Sequence, residues 1–182
     1  YASENGKELS MVFSFHHLKV DFMGNEKWVM VPFDFCKLKH ILFEWQTHMA
    51  EHHAWNAVFW CNHDQPRVVS RFGNTKEYWK ESAKMLATVI HCMRGTPYIY
   101  QGEELGMTNP GFHDISQYRD VESINHFRIL QEKGLTRENA YQILAIHSRD
   151  NSRTPMQWSD QKNGGFSQAE PWIEVNDNCA YI

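Results

Sequence analysis

The chain has 182 residues, enough for one domain with a sizeable core, and carries 18 Lys and Arg against 22 Asp and Glu, a formal net charge of −4. That balance excludes a broad polyanion-binding surface, so nucleic acid is not an expected partner and any anion site must be local. Cys36, Cys61, Cys92 and Cys179 form no C-x-x-C pair, which argues against a zinc ribbon and fits a reduced, cytoplasmic protein; no apolar run approaches membrane-span length, so no membrane partner is expected.

Leu9 to Phe15 alternates and then runs apolar before His16-His17, the pattern of a buried strand feeding a polar loop. Asp34 is placed to cap a helix, and Leu38, Ile41, Leu42, Trp45 and Met49 then recur at helical spacing, which predicts a core-facing helix over about 35 to 50. Ala54 to Cys61 reads as a second strand. Asn74 with Glu77 three residues on can cap another helix, with Ala83, Leu86, Ala87, Ile90 and Met93 on its stripe and Gly95 closing it. Tyr98-Ile99-Tyr100 reads as a third strand. Beyond the turn-rich Asn109-Pro110-Gly111, helices are expected over Val121 to Leu130 and Glu138 to Ile146, and irregular surface loop after Trp158. Strand, helix, strand, helix, strand is the repeat of a parallel α/β architecture with right-handed crossovers.

Phe59-Trp60-Cys61-Asn62-His63-Asp64-Gln65-Pro66-Arg67 carries the most functional information. An apolar run delivers a carboxylate flanked by an imidazole and an amide, and Pro66 prevents the strand from continuing. A parallel strand fixes the position of an acid at its C-terminal end while the following loop shapes a pocket. Asn-His-Asp alone would be an ordinary polar turn. The longer string, however, resembles the fourth signature segment of the α-amylase-type glycoside hydrolases. Gly95-Thr96-Pro97-Tyr98-Ile99-Tyr100-Gln101-Gly102-Glu103-Glu104-Leu105-Gly106-Met107 is similar to the last barrel strand and loop of the oligo-1,6-glucosidase branch. Ser148-Arg149-Asp150-Asn151-Ser152-Arg153-Thr154-Pro155-Met156-Gln157-Trp158 is similar to the substrate-facing stretch that follows it. Within the branch, Ser14-Phe15-His16-His17-Leu18-Lys19-Val20-Asp21 looks most like the subgroup that cleaves trehalose 6-phosphate.

The resemblance implies the C-terminal part of a (β/α)8 TIM barrel, about three βα units with helical and loop decoration, forming one partial catalytic domain over 1–182. It implies retaining hydrolysis, in which one carboxylate acts as nucleophile and another as acid/base, about 5–5.5 Å apart. Both would lie upstream of Tyr1, so the chain reads as a fragment that is inactive alone. Asp64 matches the third carboxylate, which grips two ring hydroxyls and favours the transition-state ring. His63 matches a neighbouring imidazole that donates to a sugar hydroxyl, Arg149 an arginine that approaches the substrate, and Glu122 a contact to the second sugar. A dianionic 6-phosphate needs fixed cations and donors, and His16, Lys19 and Lys27 match a phosphate clamp in that subgroup. The expected partner is thus a small disaccharide phosphate. An oligo-1,6-glucosidase without a phosphate clamp, or a non-catalytic interaction barrel, are the alternatives.

No cofactor is expected. His48 and His52 have the i, i+4 spacing of zinc ligands, but no third ligand stands nearby in the sequence, and a calcium site of several relatives would lie before Tyr1, so no metal is expected. An open three-stranded sheet would leave edges through which the isolated chain could self-associate.

Overall fold

The structure is a computed structural model that describes residue 2, residues 7–180 and residue 182. Its elements in chain order are β1 (Val12–Phe13), α1 (Phe35–Glu51), β2 (Asn56–Phe59), α2 (Val68–Phe72), α3 (Trp79–His91), β3 (Thr96–Tyr98), α4 (Val121–Glu132) and α5 (Arg137–His147), with short 3-10 turns between them. The chain divides into two compact units, Tyr1–Trp60 with Ala87–Ile99, and Cys61–Leu86 with Tyr100–Ile182.

The first unit contains a parallel sheet in the order β1-β2-β3, as the strand and helix alternation predicts. All four residues of β2 are buried, because it is the central strand. β3 pairs Ala57 with Thr96, Val58 with Pro97 and Phe59 with Tyr98. Pro97 has no N–H to give, which an edge strand tolerates and a central one would not. Gly95 leads into β3 at φ 150°, and a Cβ there would stand 2.6 Å from the Asn56 carbonyl oxygen, so only glycine lets the chain draw alongside β2. On the other flank, Asp34 caps α1 by accepting from the Lys37 N–H at 2.9 Å. The Gln46 side chain then clasps the backbone before β3, donating to Arg94 O at 2.9 Å and accepting from Arg94 N at 2.8 Å.

Two strand expectations are corrected. The first strand is confined to Val12–Phe13 rather than Leu9 to Phe15, and it is not buried: Phe13 is 47% exposed. A strand with one neighbour keeps one apolar flank open, and the Phe13 ring makes edge contacts to Phe59 at 5.4 Å and Tyr98 at 4.8 Å between centroids. The third strand lies two residues earlier than Tyr98-Ile99-Tyr100, since pairing with Ala57 to Phe59 decides which residues enter the ladder.

In the second unit, Asp120 caps α4 by accepting from Ser123 N at 3.1 Å, and Thr136 caps α5 by accepting from Asn139 N at 3.2 Å. The two helices close over Phe127, Leu130, Ile143 and Leu144, with Phe127 stacked on Tyr141 at 4.6 Å. The third helix does not begin at an Asn74–Glu77 box. The Asn74 carboxamide instead accepts from Lys76 N at 2.8 Å and Tyr78 N at 3.3 Å, spending itself on a turn, and α3 starts only at Trp79. Helix α2 follows the Gln65-Pro66-Arg67 turn, where no helix was expected. The stretch after Trp158 is irregular as expected but is not all surface. Ile173 and Asn176 are buried, and the Asn176 amide donates to Thr108 O at 3.2 Å and Asn109 O at 3.0 Å.

Candidate active site

Asp64 stands on a turn made by its own neighbours. The Asn62 carboxamide accepts from Asp64 N at 2.8 Å, and Gln65 N donates to Asn62 O at 3.2 Å. Cys61 fastens the ends of the turn, its sulfur accepting from Val68 N at 3.1 Å while its thiol donates to Pro66 O at 3.5 Å. Burial pushes the Cys61 thiol well above the usual thiol range, so it is a structural rather than a reactive sulfur. Arg67 is 1% exposed, donates to Gln101 O at 2.5 Å, and is pulled below the ordinary guanidinium range by burial. On this base the Asp64 side chain remains 41% exposed, with its Oδ2 3.4 Å from His63 Nε2.

The second wall is the 3-10 turn Arg149–Ser152, which begins where α5 ends at Ser148. The Ser148 hydroxyl accepts from Asp150 N at 3.1 Å and shares a 2.7 Å hydrogen bond with Ser123 Oγ. Asp150 is fully buried, and its Oδ2 accepts from both Arg119 N at 2.7 Å and Asp120 N at 2.8 Å, tying the turn to the entry of α4. The Ser152 hydroxyl donates to Asn62 O at 3.1 Å and so ties the same turn to the Asp64 loop.

Three segments thereby converge on one cluster of charges. Arg149 Nε lies 2.8 Å from Glu122 Oε2 and 3.7 Å from Asp64 Oδ1. Arg153 donates through Nη2 to Asp64 Oδ1 at 2.9 Å and through Nε to His63 O at 2.8 Å, and its Nη1 faces Asp120 Oδ1 at 3.5 Å and Asp150 Oδ1 at 3.8 Å. Asp64, His63, Arg149 and Glu122, singled out separately in the sequence, are therefore brought together. Arg153, Asp120 and Asp150 belong to the same cluster and were not singled out. Arg153 stands inside a string already read as substrate-facing, so the resemblance located its segment but not its target. With four carboxylates against two guanidinium groups, the cluster suits a ligand that gains positive charge as it reacts.

His16, Lys19 and Lys27 lie in the other unit, on the loop between β1 and α1. His16 and Lys19 are exposed on the 3-10 turn His16–Lys19, and His16 Nδ1 is 3.1 Å from Ser14 Oγ. Lys27 is half-buried, with its ammonium 4.5 Å over the ring of Trp28. Among the described residues, no group of three or more His, Cys, Asp or Glu side chains could hold a metal ion, and no helix is long and apolar enough to cross a membrane.

The family model of the alpha-amylase catalytic domain matches residues 1–182. The chain is 61% identical over 182 residues to trehalose-6-phosphate hydrolase of Bacillus subtilis (strain 168), covering all of this chain and 32% of that protein. It is 53% identical over 183 residues to oligo-1,6-glucosidase of Bacillus cereus, covering all of this chain and 33% of that protein. The crystal structure of Bacillus licheniformis trehalose-6-phosphate hydrolase superposes with a TM-score of 0.94 at 60% identity, over 97% of this chain and 32% of that one. The chain thus spans about a third of the length of the relatives it matches.

Proposed function

The chain belongs to the alpha-amylase catalytic-domain family, and from that premise we propose that it is part of a retaining α-glucosidase that hydrolyses α,α-trehalose 6-phosphate to glucose and glucose 6-phosphate. The observation that carries this reading is the Asp64 carboxylate, half-exposed on a fixed turn with His63 and Arg149 beside it. In the proposed mechanism Asp64 accepts hydrogen bonds from two hydroxyls of the glucose being cleaved, and these tighten as the ring flattens and positive charge develops. His63 donates to a neighbouring hydroxyl. Arg149 exchanges part of its hold on Glu122 for the substrate, and Glu122 is then available to the second sugar.

The nucleophile and the acid/base lie in a part of the longer protein that this sequence does not include, so the 182-residue chain alone turns over no glycoside. As a partial catalytic domain with β1 and β3 at the margins of its sheet, the isolated chain self-associates through those edges. Phosphate selectivity is assigned to His16, Lys19 and Lys27, which offer an imidazole and two ammonium groups from one loop. Four unpaired cysteines favour a cytoplasmic setting.

An oligo-1,6-glucosidase is the competing reading, supported by the relative from Bacillus cereus at 53% identity. Measuring kcat/KM of the full-length protein on trehalose 6-phosphate, trehalose and isomaltose separates the two. Preference for the phosphorylated sugar supports the first reading, and preference for isomaltose replaces it with the second.

A further inference from the structure

We propose that Arg153 is a positioning residue, which holds the Asp64 carboxylate in one orientation so that Asp64 can act on the sugar; this rests on the α-glucosidase reading above. The guanidinium grips Asp64 and its neighbour together, donating to Asp64 Oδ1 at 2.9 Å and to the backbone carbonyl of His63 at 2.8 Å. Fixing the carbonyl of one residue and the carboxylate of the next leaves the Asp64 side chain little torsional freedom. Oδ2 is left facing His63 Nε2 at 3.4 Å.

Arg153 is itself braced. Its Nη1 faces Asp120 and Asp150, and these two acids are occupied in turn by the N–H groups at the start of α4. At 24% side-chain exposure it is more enclosed than Arg149 at 38%, whose shortest ion pair is with Glu122 rather than Asp64. The two arginines divide the work, Arg149 being placed to meet a ligand and Arg153 to hold the residue that meets it.

The charges around Asp64 are what Arg153 offsets. Asp64 and His63 lie on the turn, Asp120, Glu122 and Arg119 at the start of α4, and Arg149 with Asp150 on the 3-10 turn. Without Arg153, Asp64 shares an acidic site with one nearby guanidinium, and repulsion from the neighbouring carboxylates is free to turn its side chain away. Lysine would restore the charge but not the fork that spans two acceptors.

The test uses the full-length hydrolase and a nitrophenyl α-glucoside, comparing Arg153→Met and Arg153→Lys with wild type and Asp64→Asn. Arg153→Met is expected to lower kcat by about 10- to 10²-fold through misplacement, with KM within a few-fold. Arg153→Lys should recover only part of kcat, because one ammonium does not span both acceptors as the guanidinium does. A Met variant with unchanged kcat, beside an Asp64→Asn variant that loses about 10²–10³-fold, overturns the positioning role and leaves the hydrolase reading intact. Full activity in Asp64→Asn overturns both. If the Met variant does not fold, the Lys variant decides, and wild-type kcat in that variant overturns the proposal.

Discussion

Arg149 Nε lies 2.8 Å from Glu122 Oε2, so this arginine is held by a carboxylate at the start of α4. Both side chains are partly open to solvent, at 38% and 27% exposure, and a pair of this kind contributes less than about 1 kcal/mol to stability. Its importance lies in where it holds Arg149. Glu122→Gln is expected to leave the melting temperature within a few degrees of wild type while raising KM for the disaccharide several-fold. A variant with wild-type KM would show that Glu122 only solvates its helix end.

The phosphate assignment stands on Lys19 and Lys27. A hydrogen bond to a charged group contributes roughly 1.5–3 kcal/mol, so Lys19→Ala or Lys27→Ala should cost about 10- to 150-fold in kcat/KM for trehalose 6-phosphate. Hydrolysis of an unphosphorylated nitrophenyl glucoside, which never uses that contact, should stay within a few-fold of normal. Lys27 also lies over Trp28, so its variant should be slightly the less stable of the two. Retained preference for the phosphorylated sugar in both variants would return these lysines to the solvent surface.

Asp150 tests the architecture rather than the chemistry. Its buried Oδ2 satisfies Arg119 N and Asp120 N, and Asp150→Ala leaves both donors, the second of them buried, without that acceptor. The expected loss is about 2–5 kcal/mol, read from the urea midpoint. Asp114→Ala, which removes an exposed cap on the short turn Ile115–Gln117, should move the midpoint far less. Equal shifts would mean that Asp150 does not join the turn Arg149–Ser152 to α4.

Cys61 sets an expectation for alkaline pH. Burial raises its thiol in the folded state, so the native protein keeps a proton that the unfolded chain releases. The associated stability is fully present below the ordinary thiol range and is lost as the pH climbs above it. In the native protein an alkylating reagent at mildly alkaline pH should label exposed Cys36 and Cys92 and spare Cys61, which reacts only after denaturation. Rapid native labelling of Cys61 would contradict its role in fastening the turn.

Local chemistry is what the sequence by itself determined. Asp34 and the apolar spacing from Leu38 to Met49 carry α1 because a cap and a 3.6-residue stripe lie within the helix they specify, and α4 and α5 were legible for the same reason. Asn62 to Pro66 placed a carboxylate on a turn because the turn is made by adjacent residues. Tertiary structure alone decided what depends on a distant partner. The length of β1, the shift of β3 to Thr96–Tyr98 and the burial confined to β2 follow from pairing between strands some forty residues apart, which no local pattern encodes. The late start of α3 is a local matter by contrast, since Asn74 had a choice between a helix cap and a turn and spends its carboxamide on Lys76 N and Tyr78 N. Arg153 is the sharpest case: its distance to Asp64 is set by the α4, α5 and Arg149–Ser152 supports across 89 residues of chain, and side-chain identity gives the charge but not what it will hold.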